Sequence, residues 1–537
     1  MDADDCIKRL AQLKGKRSLY ERDWRNCFDM TFPIRGTGFS GDVVDSARTK
    51  IAARLDSTGT DSGRILASAL MSGMTPANSR WFGMEVGDES DEERRWLDNA
   101  ADIIWQNIHA ANFDAAGFEC ALDMVAAGWF VLFVDVNKQA GGGYAFEQWP
   151  ISECFISSTR QDGRIDTVFR PYKMSACQAV KEFGEANVSD KLRSMAIDKP
   201  YDMVDLLRVI EPRPDHKDGA MLSKNLPFAS CDIEVNGKKL IRELGFHEFP
   251  CAVPRWTLIP QSSYAVGPAF DALPDMLELN ELLRMEKAAV ELAVSGMWIA
   301  EDDGVLNPKT VKVGPRKIIV ANSVDSMKEL KSGADFNVSF TIKADLQDQI
   351  RRVFMADQLA PKEGPTRTAT EVIDTRNMIR QLLGPIYGRL QSEYLQMLVE
   401  RCFGLAYRAG ALSSGEAGPP PESLLDRSYS VRYISPLARA QRMEEVTAMD
   451  RLETTMGAKL ELKPELADIY DWEEADRLRA QYLGVPGKLM RSEDDIAAIR
   501  QSRAQAQQQA QQQQQTAMMA EQVGKSPQGA QVMGAMA

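Results

Sequence analysis

Apolar residues recur at three- and four-residue steps at the start of the chain. Ile7, Leu10, Leu13, Tyr20, Trp24 and Phe28, closed by Pro33, predict an amphipathic helix. RILASALMSGM predicts a second helix that stops at Thr75 and Pro76, and SRWFGMEV a strand. EERRWLDNAADIIWQNIHAANF predicts a further helix, followed by another that runs into the apolar stretch ending at Asp135. The glycines of VNKQAGGGYAFEQW predict a hairpin turn between strands, and RIDTVFRPY, VDLLRVIEP, CDIEVNGKKLI and CAVPRWTL read as short strands bounded by turn residues. Residues 1–266 therefore predict a mixed α+β region.

The pattern changes at Gly267. From Pro268 to Ser295 the apolar positions are Phe270, Leu273, Leu277, Leu283 and Leu292, while Asp271, Asp275, Glu278, Glu281, Glu286 and Glu291 are set against only Arg284 and Lys287. This predicts a long helix with an acidic face. Residues 297–342 turn to Gly, Pro and β-branched pieces (KTVKVGPRKIIVANS, FNVSFTI) and predict a small β module; ADLQDQIRRVFMADQL then predicts a second helix with Leu346, Ile350, Val353, Phe354 and Leu359 on one side. In the connector APKEGPTRTATEV, Pro361, Gly364 and Pro365 end that helix, and Thr368 with Glu371 forms a T-x-x-E capping box that starts the next. Val372, Ile379, Leu383, Ile386, Leu390, Tyr394 and Met397 keep helical phase to Ala409, roughly 60 Å at 1.5 Å per residue. Gly384 and Pro385 interrupt it without changing the phase, which predicts a kink. SSGEAGPPPES reads as a linker, SYSVRYI as a strand and the region from SPLARAQRMEEV to Tyr482 as helical with a break at Pro464. The Gln-rich tail reads either as an extended helix that needs partner helices or as disorder.

Composition narrows the function classes. A chain of 537 residues with 44% hydrophobic content suggests two to four domains. A formal net charge of -13 argues against gripping nucleic acid over a broad basic surface. The eight cysteines are scattered, without a C-x-x-C pair, and read as free thiols of a reducing cytoplasm. The acidic start MDADDC is unlike a targeting peptide, and no apolar run reaches the roughly 20 residues of a bilayer span, so a soluble protein is expected. GTGFSG (36–41) matches dinucleotide-site spacing but lacks the preceding strand and following helix, and reads as a flexible turn. There is no P-loop sequence; His109, His216 and His247 lie outside any metal or triad frame; and GDESDEERR (87–95) reads as a solvated loop leading into a helix. No active site, metal or cofactor is expected. The acids of 268–295 admit two readings, the exposed face of a monomer or the wall of a channel lined by many copies, between which composition does not choose.

Four segments together carry a resemblance: ASALMSGMTPANSRWFGM (67–84), the order helix, β insert, helix (268–359), TRTATEVIDTRNMIRQLLGPIYGRLQSEYLQ, and YISPLARAQR (433–442). In combination they resemble the portal, or head-to-tail connector, proteins of short-tailed bacteriophages. The resemblance implies an α+β, predominantly helical portal fold assembled as a dodecameric ring around a central channel. The wing would be 1–266, the stem helices 267–296 and 343–359, and the clip 297–342. A tunnel loop 360–368, a long kinked helix 369–411, a linker 412–427, a crown 428–490 and a tail or helical barrel 491–537 would follow. It also implies a virion protein, assembled in the host cytoplasm, that conducts double-stranded DNA during packaging, retention and ejection. Its partners would be the terminase large subunit, tail adaptor or nozzle proteins, capsid and scaffolding proteins, and internal core or ejection proteins. Lys362, Glu363, Gly364, Thr366 and Arg367 would face DNA in the tunnel loop, and Asp271, Asp275, Glu278, Glu281 and Glu286 would line the channel. An oligomeric scaffold with no DNA channel, and an enzyme whose site is not legible, are the other classes.

Overall fold

The computed structural model describes residues 2–40, 44–86, 90–138, 142–217, 219, 222–295, 297–300, 327–330, 336–359, 384, 386–413, 418–424, 430–433, 436–460, 469–483, 496–510 and 513. The chain forms two compact units, one of residues 1–81, 104–410 and 435–437, the other of 82–103, 411–434 and 438–537. Residues 82–103 thus group with the C-terminal part of the chain and not with the rest of 1–266. The fold is mixed α and β with helix predominant among the described residues.

In the first unit the N-terminal helix Ala3–Met30 buries Leu10, Leu13, Trp24 and Phe28, as the spacing predicts. It also buries Arg17, whose guanidinium donates to the carbonyls of Ile151, Ser152 and Cys154 at 3.1, 2.6 and 2.7 Å. One face of a five-stranded antiparallel sheet lies on this helix, in the order Phe155–Ser157, Thr167–Ser175, Met203–Pro212, Phe228–Glu234, Lys239–Phe246. Strand side chains alternate between faces, so Leu207 and Val209 meet Leu10 and Leu13 while Leu206 packs with Phe183 and Leu192 of the helices Ala176–Phe183 and Asp190–Asp198 on the other face.

The apolar run 124–134 does not continue as helix to Asp135. The helix Phe113–Ala127 stops at Gly128, in the left-handed region with φ 84°, and Val131–Val136 is a strand between Tyr144–Trp149 and Cys251–Ala252. Uniform hydrophobicity hides this change, because a buried helix and a buried strand are equally apolar and only the glycine separates them. Gly128 is also a crossing point: a Cβ there would lie 2.1 Å from the Val266 carbonyl carbon, and one on Gly267 would lie 2.6 Å from the Val125 oxygen. GTGFSG likewise differs from expectation, since Thr37–Ser40 is a short helix whose Phe39 packs on Phe28 and Trp24.

The second unit pairs the strand Phe82–Glu85 antiparallel with Ser430–Tyr433, in the register Phe82 to Tyr433. The helix Asp91–Ala110 starts with a capping box: the Ser90 amide donates to Glu93 at 2.7 Å and the Glu93 amide to the Ser90 hydroxyl at 3.3 Å. Arg479 of the helix Trp472–Leu483 forms ion pairs with Asp450, at 3.2 Å, and with Glu453, tying it to the helix Pro436–Leu460. Of the Gln-rich tail, residues 501–510 are helical and exposed throughout.

Two glycines separate close approach from flexibility. Gly128→Ala is expected to cost about 2–4 kcal/mol from positive φ and backbone overlap. Gly15→Ala, mid-helix with no atom within 4 Å of the added carbon, is expected to gain about 0.5–1 kcal/mol. Denaturant titration of both variants beside the native chain checks the pair.

Candidate functional site: an acidic helical hairpin

The hairpin begins where the backbone crossing leaves Gly267. A short helix, Pro268–Asp271, leads into Leu273–Ser295; the strands Met297–Ala300 and Met327–Leu330 pair antiparallel; and the chain returns along the helix Phe336–Val353. FNVSFTI was expected to be strand and is instead the first turns of this returning helix. β-Branched residues carry only a weak, context-dependent strand preference, and here the helix anchored by buried Leu346 and Ile350 extends backward through them. The second helix therefore starts seven residues before the expected 343.

The root of the hairpin is packed and pinned. Met276, Leu279, Asn280, Leu346, Ile350 and Phe354 are all buried. Asn280 accepts a hydrogen bond from the Leu55 amide at 2.8 Å, and Gln347 donates to Asp56 at 2.8 Å, so each helix is tied to the same short segment ahead of the helix Thr58–Met74. These polar anchors were absent from the expected site residues. The signal was present: Asn280 is a polar residue in a core-facing slot of LELNELL, one position after buried Leu279 and four after Met276.

Farther out, no residue of 281–291 or 339–345 is fully buried. Met285 and Phe340 are each 60% exposed, and Leu277, Val290 and Ile342 are exposed as well. Leu277 and Phe270, expected on the apolar face, are thus not buried in the single chain.

At about 100° per residue, Glu278 and Glu281 lie opposite Met276, Leu279 and Asn280, while Asp275 and Glu286, four residues before and seven after Leu279, flank the buried face. Glu278 and Glu281 are exposed, while Asp275 and Glu286 are half-buried. Glu281 pairs with Arg284 at 3.1 Å across the surface, and Glu286 accepts a hydrogen bond from the Ser339 hydroxyl on the returning helix. Asp271 is exposed at the hairpin's origin, where partial burial raises its carboxyl above the ordinary value. No group of three or more metal-ligating side chains occurs among the described residues. What this arrangement can do chemically is present negative charge along a two-helix arm, most freely from Glu278 and Glu281.

The expected loop residues Lys362, Glu363, Gly364, Thr366 and Arg367, with Thr368, Glu371 and Pro385, lie outside the described residues. Gly384 is helical, with open space where a Cβ would be.

Replacing Asn280 by Leu is expected to cost about 1–3 kcal/mol by orphaning the Leu55 amide, whereas Glu281→Gln, which removes only an exposed pair, changes stability by less than about 1 kcal/mol. Denaturation and the rate of protease nicking within 270–295 measure both.

Comparison with known proteins extends over almost the whole chain. The family model described as bacteriophage head to tail connecting protein matches residues 3–490. The "Probable portal protein" of Bordetella phage BPP-1 is 27% identical over 524 residues, covering 93% of this chain and 91% of that protein. The "Portal protein" of Salmonella phage epsilon15 is 26% identical over 530 residues, covering 94% and 91%. Among solved structures, a chain from the neck of an empty GTA particle matches at 12% identity with a TM-score of 0.36, covering 73% of this chain and 85% of that one. A chain from the virion of the native gene transfer agent matches at 12% identity with a TM-score of 0.30, covering 73% and 89%.

Proposed function

This chain belongs to the bacteriophage head to tail connecting proteins, and we infer from that membership that it is a phage portal, a virion component of the capsid vertex. The observation that carries the reading is the extent of the match, residues 3–490 of 537. Sheets, hairpin and much of the second unit all lie inside it.

From that premise we propose the finer arrangement. Copies of the chain, twelve in number, close into a ring in which each hairpin stands as a stem and the residues between its two helices form the clip. Cyclic symmetry makes every contact head-to-tail and closed. The exposed Met285, Val290, Phe340 and Ile342 support this reading, because apolar side chains on an arm beyond its packed root gain from being covered. The acids Asp271, Asp275, Glu278, Glu281 and Glu286, repeated around the ring, give a wall of the same sign as DNA phosphate. Duplex DNA carries one charge per roughly 1.7 Å, so such a wall resists sticking without reading sequence. Lys362 and Arg367, within the connector Lys362–Glu363–Gly364 and Thr366–Arg367, supply sparse phosphate contacts that position DNA and carry no base information. The reading assigns the chain no catalysis; packaging work comes from a separate ATPase, the terminase. Terminase and then tail proteins dock at the clip, with capsid, scaffolding and internal core proteins meeting the ring's other faces.

Twelve copies of 59.7 kDa give a particle of roughly 0.7 MDa with an axial channel. Mass measurement and imaging of the purified protein test this; a stable monomer or dimer at micromolar concentration, or a particle closed along its axis, overturns it. Replacing Lys362 and Arg367 together by Ala is expected to leave ring mass unchanged and to lower the DNA packaged or retained per particle. Unchanged DNA content removes both residues from the mechanism.

A further inference from the structure

The first unit holds a cavity of about 240 Å³. That is below the roughly 300–1,000 Å³ of a small-molecule site and suits a single large side chain. Phe249, Cys251 and Val253, all buried, give it an apolar wall. Another wall comes from a helix with one irregular turn. Gln391–Leu395 is a single π turn, in which the Gln396 amide reaches the Gln391 carbonyl, and α geometry resumes over Gln396–Arg408. Such turns are frequent at functional sites, and across this one Glu393, Met397 and Glu400 all reach the same cavity.

Four carboxylates line the cavity, and three of them are satisfied by the chain itself. Glu393 accepts two hydrogen bonds from buried Arg255, at 2.6 and 3.1 Å. Glu248 is paired with Arg401 at 3.1 Å and also with Arg408. Asp166 accepts from the Thr159 amide and from the Thr167 hydroxyl, each at 3.0 Å. Glu400 differs. It is half-buried, and among the described residues its partner is the neutral side-chain amide of Gln396, at 2.8 Å, with no cation. The loop that closes the cavity has the reverse imbalance, since Arg160 and Arg164 share one exposed carboxylate, Asp162, at 2.9 and 3.7 Å.

These features select the occupant. Four carboxylates disfavour a phosphate or a nucleic acid, and no group of three or more side chains able to hold a metal occurs among the described residues. An apolar wall with one uncompensated carboxylate fits a cation on an aliphatic stem. Arginine meets this best: its planar fork matches a carboxylate, it is weakly hydrated, and it is among the residues that anchor interfaces by filling pockets.

We propose that the cavity receives an arginine side chain of a partner protein, with its stem against Phe249, Val253 and Met397 and its guanidinium on Glu400. An acidic residue beside that arginine meets Arg160 and Arg164. Charge complementarity assigns the anchor to a protein with a basic surface, because this chain, with 64 basic against 77 acidic residues, has no surplus of cations to offer another copy. The inference does not depend on the portal reading.

Saturation-transfer NMR on the full-length chain tests it, with N-acetyl-arginine amide as the probe. A dissociation constant of about 1 mM is expected for so small a ligand. Glu400→Gln is expected to weaken binding about tenfold, and Met397→Trp, which fills the cavity, to abolish it. N-acetyl-citrulline amide, of similar shape without the charge, is expected to bind at least about tenfold more weakly. No transfer to the arginine probe, equal binding of the citrulline compound, or binding that neither variant changes overturns the site. Particle mass of Glu400→Gln at micromolar concentration is expected to equal that of the native chain. A smaller particle would give the cavity to a neighbouring copy and overturn its assignment to a basic partner.

Discussion

The first unit depends on a backbone crossing that only glycine permits. Gly128 ends one helix in the left-handed region, and the chain at Val266 and Gly267 passes so close that neither glycine can carry a side chain without displacing the other strand of chain. The Trp256 amide donates to the Gly128 carbonyl at 2.7 Å, and Trp24 donates to the Ala265 carbonyl at 3.1 Å. Around this crossing Trp24, Trp129 and Tyr264 pack with ring centroids 5.3 to 5.5 Å apart. The N-terminal helix, the apolar helix, the three-stranded sheet and the start of the acidic hairpin therefore share one origin. The direction in which the hairpin leaves is set there, before any of its own residues contributes.

Buried arginines do a second kind of fixing. Arg17 satisfies three carbonyls of a turn, Arg255 clamps Glu393 and the Gly163 carbonyl, and Arg401 with Arg408 holds Glu248. Burial, the largest influence on Glu248, pushes its carboxyl up, but the two arginines outweigh it and leave it below the ordinary value. A depressed carboxyl adds stability that is present above its unfolded value and is lost as pH falls through the folded one. These pairs are strong where they are because removing one member leaves a buried charge uncompensated. They join segments far apart in sequence, and so they define the shape of the unit more than its net stability.

Much of this was legible in the sequence, and each miss has a physical cause. Periodicity located the N-terminal helix, the strands Thr167–Ser175 and Met203–Pro212 and the acidic helix, because each buries one face and the pattern follows from that. It failed where an element is apolar on all sides, at 124–134, and where β-branched residues continue a helix, at 336–342. The polar anchors were missed for a different reason. Arg17, Asn280 and Glu393 occupy core-facing slots, and a reading that scores only hydrophobicity treats them as interruptions when they are the contacts that set geometry. The π turn has no periodic signature at all, since one extra residue in a turn barely disturbs the spacing of Leu390, Tyr394 and Leu398.

The acids of the hairpin are weakly committed to the fold, and this suits them to the role proposed for them. Glu393 is paired with buried Arg255, and Glu248 with buried Arg401 and exposed Arg408. Glu281 has only an exposed partner, worth at most about 1 kcal/mol. A carboxylate that the fold does not spend keeps its field for whatever stands in front of it. That field reaches about 8 Å at physiological salt, so a wall of such groups acts on DNA near contact and is screened at longer range. In the proposed ring such a wall would keep a polyanion from adhering without opposing its entry from a distance. Packing at the root and charge on the arm thus answer separate demands: one fixes where the arm points, and the other, under the proposed function, would govern what slides past it.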